Sequence, residues 1–284
     1  MELAEKDDVS QELVADLKER ARGLREFIVR DLVGVGRVGH LGGAVSSAEI
    51  VATLYFHKMK HDPKNPAMES RDRFLLSKGH VANIQYAALA MAGYFPVEEL
   101  KKMKSLGAML QGHPDMTKTP GVEACTGSLG QGLSVANGMA LGLRLDGLAS
   151  RVYVIVGDGE MNEGQIWEAV MAAAKFKIDN LTAIVDRNRI QATGSTVERF
   201  DIGHVAPKWA AFGWHVIELD GHDIPALIRA FDEAETVKGK PTVIVANTIK
   251  GKGISFAENN VAFHNGILTQ EQYDIALAEL KQRD

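Results

Sequence analysis

The chain has 284 residues, of which 45% are apolar and 24% charged, and its formal net charge is -5. Such a composition is typical of a globular protein with a large core, and the negative charge offers no long-range attraction to nucleic acid or to an anionic membrane. No apolar run approaches the roughly 20 residues of a membrane span. The acidic start MELAEKDDVS is unlike a secretory signal, and the single cysteine excludes an internal disulfide, so we expect a cytoplasmic location.

The first half of the chain is predicted to be mainly helical. Apolar residues recur at helical spacing between residues 10 and 33. The next segment begins with Ser46 and Glu49 at the spacing of a capping box, which predicts that a second helix starts there. Helical patterns also fit residues 81–92, 97–105 and 130–145.

The second half alternates between short β-branched runs and helix-compatible segments. The runs are RVYVIV, LTAIV, WHVIEL and PTVIVAN. Nearly continuous apolar strands that alternate with helices are typical of a parallel sheet covered on both faces. We therefore predict an α/β fold, a doubly wound and mostly parallel sheet, in a single domain over residues 1–284 with an N-terminal helical extension.

Polar residues follow two of these predicted strands where each one ends. Asp158 comes after RVYVIV, and Asn188 and Ile190 come after LTAIV. Ligands of such sheets bind beyond the carboxyl ends of the strands, and the 30 residues between Asp158 and Asn188 suit one loop, helix and strand. The spacing thus predicts that a carboxylate and a carboxamide lie side by side.

The sequence Gly157-Asp158-Gly159 places a carboxylate in a loop that is otherwise suited to a phosphate. A carboxylate, an amide oxygen and a backbone carbonyl are hard ligands for Mg²⁺ or Ca²⁺, and a bound ion would attract phosphate oxygens. The two glycines would let the backbone approach the ligand. Taken alone, however, this triplet fits a plain strand-to-helix turn equally well.

Longer stretches carry a resemblance to a known family. GDG followed by Asn188 resembles the motif of thiamine diphosphate enzymes. Four further segments resemble the N-terminal part of transketolase, in that family's order: LSKGHVANIQYAALAMAGYF, LQGHPD, TGSLGQGLSVANGMALG and TIKGKGISFAENNVAFHNG. The resemblance implies the thiamine diphosphate-binding fold and a transketolase that moves a two-carbon ketol unit between sugar phosphates.

The resemblance also implies roles for particular residues. The metal, Mg²⁺ or Ca²⁺, would be held by Asp158, Asn188 and the carbonyl of Ile190. Four histidines match active-site histidines of the family: His40, His80, His113 and His264. The cofactor would contact His80, His264 and Asn188, together with Gly157, Gly159, Glu160 and the loop Gly127, Ser128 and Leu129, where Ser128 replaces the family's usual proline. Glu163 matches a glutamate that links active sites by protons at the dimer contact, and Glu168 a second one there.

A subunit role follows from the same resemblance. In transketolases a second domain binds the aminopyrimidine ring, and we expect that domain to be absent from this chain. The implied partner is a C-terminal transketolase subunit in an α2β2 heterotetramer. The family's default donor is xylulose 5-phosphate of the pentose phosphate pathway, but sulfosugars or branched sugars fit a split enzyme equally well.

Other interpretations remain open. The chain could be a subunit of another thiamine diphosphate enzyme, similar to a 2-oxo acid dehydrogenase α subunit or a deoxyxylulose-phosphate synthase. It could also be a non-catalytic module that binds a cofactor or sugar phosphate. A stripe of small residues fits either internal helix packing or a subunit interface, and it comprises Gly130, Ser134, Gly138 and Gly142.

Overall fold

The computed structural model describes residues 9–282 and is built around a five-stranded parallel sheet. The strands in chain order are β1 Val38–Gly39, β2 Arg73–Leu76, β3 Val152–Gly157, β4 Leu181–Arg187, β5 Ile190–Gln191, β6 Gly194–Ser195, β7 His215–Asp220, β8 Thr242–Asn247 and β9 Gly266–Ile267. The main sheet has the order β2-β3-β4-β8-β7, and two antiparallel ribbons pair β1 with β9 and β5 with β6. The predicted fold class is confirmed.

Ten α-helices surround this sheet in the described range. They are α1 Gln11–Phe27, α2 Gly42–Val45, α3 Ala48–Thr53, α4 Ala82–Ala92, α5 Gln131–Leu145, α6 Gly164–Lys175, α7 Thr196–Phe200, α8 Val205–Ala211, α9 Ile224–Thr236 and α10 Gln270–Lys281. Helices α1 and α3 each continue into a π turn, over Ile28–Val33 and Leu54–Lys58. Among residues 9–282, none of the helices has the length and apolarity that crossing a membrane would require.

The sheet separates two apolar cores, because alternate side chains of each strand point to opposite faces. Along β3, Tyr153 and Ile155 enter the core formed with α1, α3, α4, α9 and α10. Val152, Val154 and Val156 enter the other core, against α5, α6 and α8. Both faces are covered, which explains why the strand sequences lack an alternation of polar and apolar residues.

The second core contains a cluster of all three tryptophans. The ring centroids of Trp209 and Trp214 are 4.7 Å apart, and those of Trp167 and Trp209 are 6.2 Å apart. Trp167 Nε1 donates a 2.8 Å hydrogen bond to the carbonyl of Met161, in the turn that follows β3. The cluster therefore connects α6 and α8 to the carboxyl end of a central strand.

Three sequence predictions differ from the structure. The capping box at Ser46 is wrong: α3 begins at Ala48, Ser46 Oγ donates to Asp186, and the Glu49 carboxylate pairs with Arg25 instead. The helix predicted over 97–105 is a 3₁₀ segment, Val97–Lys102. Strand β2 was not predicted at all. It lies at the sheet edge, where a four-residue apolar run gives little periodicity from which to recognise a strand.

The small-residue stripe on α5 divides into two halves. Its first half packs inside the chain, since a Cβ on Gly130 would lie 2.8 Å from Glu163 Cβ and Gln165 Nε2 donates to Ser134 Oγ over 2.7 Å. Its second half is open, since a Cβ on Gly138 or Gly142 would meet no atom of the described residues within 4 Å. Both interpretations of the stripe thus apply, each to one half of it, with the interface remaining a prediction.

Candidate active site

A cavity of about 400 Å³ lies at the carboxyl edge of β3 and β4, where the fold class predicted a ligand site. It brings together ten of the predicted residues: His80, Leu129, Gly157, Asp158, Gly159, Glu160, Glu163, Asn188, Ile190 and His264. His40, His113, Gly127 and Ser128 do not line it. The predicted site residues therefore gather mostly at one place, although they span nearly 200 positions of the sequence.

Asp158 lies beside the end of β4, as the strand spacing predicted. Gly157 pairs with Asp186 in the sheet register, and one Asp158 oxygen accepts the backbone N–H of Arg189. The other oxygen accepts the N–H of Gly159 over 2.8 Å. Burial, followed by repulsion from Asp186, raises the pKa of Asp158 to about 6. The carboxylate is thus short of positive charge, and a cation would suit it.

The other two predicted metal ligands face the same cavity. Asn188 Nδ2 donates to Asp186 over 3.0 Å, and its Oδ1 accepts the N–H of Ile190 over 3.2 Å. The carbonyl of Ile190 accepts a 2.8 Å hydrogen bond from Lys250 Nζ. A carboxylate, an amide oxygen and a carbonyl form a hard oxygen set that fits Mg²⁺ or Ca²⁺. Within the described range no three His, Cys, Asp or Glu side chains group as a metal site, and this set contains only one of those types.

The Asp186 carboxylate is fully buried and is the most heavily hydrogen-bonded group at the site. Its donors are Ser46 Oγ, Ser47 Oγ, Lys78 Nζ, Asn188 Nδ2 and Thr248 Oγ1. Burial alone would raise the pKa of Asp186, but the Lys78 ammonium outweighs it and holds the pKa at about 2. Lys78 also donates to the carbonyl of Gly43 over 2.9 Å. The pair is therefore ionised and internally compensated.

Three of the four predicted histidines form a cluster beside the cavity. The ring centroids of His40 and His80 are 4.9 Å apart, and His264 lies 5.5 Å from His40 and 5.3 Å from His80. His113 lies on the adjacent loop, where a Cβ on Gly127 would be 2.7 Å from its ring. Burial lowers the pKa of His40 and His264 to about 4 and that of His80 to about 2. These three rings are neutral at pH 7 and can each donate or accept a proton.

Glu160 has a different environment from the one predicted. One oxygen accepts Ser77 Oγ over 2.5 Å and the N–H of Gly130 over 2.9 Å, while the other accepts the N–H of Gly157 over 3.0 Å. Burial raises its pKa. Both oxygens thus hold the protein together, and the predicted contact of Glu160 with a cofactor is untested. Glu163 is exposed at the rim, at the start of α6.

Two buried lysines of the cavity were missed by sequence reasoning. Lys78 and Lys250 stand in SKGH and TIKGKG, segments that were noted for their histidine and their overall resemblance. Lys250 Nζ also lies 3.0 Å from His264 Nδ1, and burial, with nearby Lys78, lowers its pKa to about 8. A lysine beside a glycine in a predicted anion-binding loop was the available signal.

Comparison with known proteins gives a consistent result. The family described as "Transketolase, thiamine diphosphate binding domain" matches residues 18–282. A 6-deoxy-6-sulfo-D-fructose transketolase subunit from Clostridium sp. (strain MSTE9) is 47% identical over 94% of this chain and 97% of its own length. One of the two subunits of an apulose-4-phosphate transketolase from Phocaeicola vulgatus is 40% identical over 89% of this chain and 90% of its own length.

Among solved structures, transketolase from Leishmania mexicana superimposes with a TM-score of 0.87 at 34% identity. The match covers 94% of this chain and 42% of that one. The human transketolase sequence is 38% identical over 95% of this chain and 43% of its own length. The chain therefore spans about two fifths of these single-chain relatives and nearly all of the two subunits above.

The Lys78–Asp186 pair generates a prediction about stability. Lys78→Met should lower the free energy of unfolding by about 3–5 kcal/mol, because it leaves a buried carboxylate without its ammonium partner. Adding Asp186→Asn to the same chain should recover much of that loss. Urea unfolding followed by circular dichroism measures both changes, with exposed Lys175→Met as the control. A loss below about 1 kcal/mol in Lys78→Met would contradict this account of the pair.

Proposed function

The chain belongs to the transketolase family, and we propose that it is the cofactor-binding subunit of a two-chain, thiamine diphosphate-dependent transketolase. It would act with a second subunit that binds the aminopyrimidine ring of the cofactor. The reaction is the transfer of a two-carbon ketol unit from a ketose to an aldose. The cytoplasmic location expected from the sequence stays a prediction.

One observation carries this proposal. The chain matches subunits of two-chain transketolases over 97% and 90% of their length, but single-chain transketolases over only 43% of theirs. The contents of the cavity support it independently, since a predicted oxygen-ligand set and a neutral histidine cluster lie within one site. A module that only sensed a ligand would need no such histidine cluster.

We assign the metal to Asp158, Asn188 and the carbonyl of Ile190, with Mg²⁺ as the ion. An ion at this position would draw the Asp158 carboxylate away from the N–H of Gly159, to which it is now hydrogen-bonded over 2.8 Å. The Gly159 N–H would then be available to a diphosphate oxygen at the start of the following 3₁₀ turn. Lys250, now on the Ile190 carbonyl, would turn its charge to the same anion.

Asp158→Ala tests the metal assignment. We expect it to weaken binding of thiamine diphosphate in the presence of Mg²⁺ by roughly 100-fold or more, because it removes the only carboxylate of the set. The fold should survive, since this carboxylate is buried without a compensating charge. Calorimetric titration of the assembled enzyme gives the affinity, and Asp146→Ala at the exposed end of α5 is the control. An unchanged affinity in Asp158→Ala would rule the assignment out.

The histidine cluster is proposed to handle the protons of the transfer. Bound thiamine diphosphate supplies the thiazolium carbon that takes the ketol unit from the donor and passes it to the acceptor. Hydroxyl protons of the sugar must move during both steps, and neutral imidazoles can take and return them. His40 and His264 are the candidates for this work. His80 is more deeply buried than either and lines the cavity next to the diphosphate position.

His40→Ala and His264→Ala should each lower kcat by about 10²–10⁴-fold, the contribution of a positioned proton donor or acceptor, and weaken cofactor binding far less. Steady-state kinetics of the reconstituted enzyme, with the cofactor affinity measured separately, would divide the two effects. Exposed His204→Ala serves as the matched control. If the loss is confined to cofactor affinity, these two residues act on the diphosphate rather than on the substrate.

The open part of α5 is the proposed contact with another subunit. Gly138 and Gly142 leave the helix backbone uncovered, and Val135 on the same helix is 37% exposed. Small residues at this spacing let a second helix approach closely. We propose an α2β2 assembly with two-fold symmetry, in which Glu163 lies at a contact between protomers.

The proposed donor is a ketose with an anionic group at its far end. A ketose phosphate such as xylulose 5-phosphate is the first candidate, from the family. A second candidate is 6-deoxy-6-sulfofructose, because a relative named for that sugar shares 47% identity with this chain. An aldose phosphate is the proposed acceptor.

Reconstitution decides the proposed function. The purified chain alone should show no ketol transfer, because it holds only the diphosphate end of the cofactor. Activity should appear on titration with a transketolase subunit that carries the pyrimidine-binding domain. Transfer from xylulose 5-phosphate and from 6-deoxy-6-sulfofructose to glyceraldehyde 3-phosphate should be followed side by side. Full activity of the chain without any partner would contradict the division of labour.

A further inference from the structure

A second cavity, of about 570 Å³, lies outside the cofactor site and shares no lining residue with it. It is formed by α1, the turn before α9, the segment Lys252–Gly253 and the end of α10. Its apolar lining comprises Val14, Ala15, Ile224 and Leu280. Its size is that of a site for a small organic molecule.

The charged lining of this cavity is predominantly positive. Four cations face it, Lys18, Arg22, Arg25 and Lys252, against two carboxylates, Glu19 and Glu49. The carboxylates are already paired, Glu19 with Arg22 and Glu49 with Arg25. Lys18 and Lys252 form no salt bridge with any residue between 9 and 282. Two positive charges thus remain uncompensated within the described range.

Arg25 supplies a second, independent observation. Its side chain is only 8% exposed, and its two terminal nitrogens bind Glu49 and the carbonyl of Val45. Its Nε is buried and has no hydrogen-bond partner among residues 9–282. A buried donor without a partner costs about 1–3 kcal/mol, so such groups usually have one. An acceptor from outside the described residues is therefore missing here.

Gly253 keeps the approach to that nitrogen open. Its φ is +88°, and a Cβ at this position would lie 3.6 Å from Arg25 Nε. Any other residue would be strained and would crowd the guanidinium. A glycine is also what lets a ligand oxygen come close to the backbone.

We propose that this cavity binds a small organic phosphate monoester. A phosphate dianion would accept from Arg25 Nε and from the ammonium groups of Lys18 and Lys252, while the apolar lining contacts the organic part. Arginine and lysine are the residues that most often bind phosphate oxygens, and charge-assisted hydrogen bonds of this kind are the strong ones. This site is distinct from the diphosphate position and is independent of the transfer reaction.

His222 places the second cavity close to the cofactor loop. Its Nδ1 lies 2.9 Å from Glu49, and its Nε2 accepts the N–H of Ile249 over 2.9 Å, so the proton is on Nδ1. One segment therefore serves both cavities, with Lys250 in the first and Lys252 in the second. Phosphate could consequently bind at either lysine, and the test has to separate them.

The test is a calorimetric titration of the purified full chain with glycerol 1-phosphate and with inorganic phosphate. We expect binding in the wild type, and at least a tenfold weaker affinity in Lys18→Met and in Lys252→Met. Exposed Lys208→Met is the matched control and should bind like the wild type. Lys250→Met should keep the binding that depends on Lys18 and Lys252. Tighter binding of glycerol 1-phosphate than of inorganic phosphate would show that the apolar lining contributes.

Two outcomes would overturn the proposal. Loss of all phosphate binding in Lys250→Met, with normal binding in Lys18→Met and Lys252→Met, would place phosphate in the cofactor cavity alone. Absence of binding in the wild type, or equal binding in all variants, would mean that the second cavity takes no phosphate. Because no ketol transfer is measured, either outcome leaves the proposed transketolase function standing or falling by its own experiment.

Discussion

A single buried carboxylate, that of Asp186, sets the constraint on which the rest of the site depends. It is fully enclosed at the carboxyl end of β4, and a charge so far from water is tolerated only with a counter-ion and a full set of donors. Lys78 is the counter-ion. The other donors come from before α3, from after β8 and from the β4 loop itself. Segments as far apart as 140 residues are thereby fixed around one group.

This arrangement leaves the neighbouring carboxylate in the opposite state. Asp158 lies beside Asp186 but receives only two backbone N–H groups, and its pKa is raised to about 6 where that of Asp186 is held at about 2. Two acids in adjacent loops are thus divided into one that is already compensated and one that lacks a cation. That division is what makes Asp158, and not Asp186, the suitable candidate for a metal ligand.

The sequence was sufficient where local rules and topology agree, and insufficient where a distant partner decides. The alternation of runs predicted the parallel sheet, and strand ends 30 residues apart predicted that Asp158 and Asn188 lie together. Ser46 misled, because the capping-box rule considers only residues up to three positions away, whereas its true partner is 140 residues downstream. Likewise Glu160 looked like a cofactor contact because it follows GDG, and its donors on Ser77 and Gly130 are visible only in three dimensions.

The tryptophan cluster has a spectroscopic consequence. All three indoles of the chain are on one side of the sheet, close enough for energy transfer between them, and the two that are nearest each other are buried. Intrinsic fluorescence of this protein therefore reports on that half of the molecule and is blind to the other core. Because Trp167 is hydrogen-bonded to the turn that follows Asp158, movement of that turn would change the emission directly. The chain carries its own optical label at the loop that the cofactor would order.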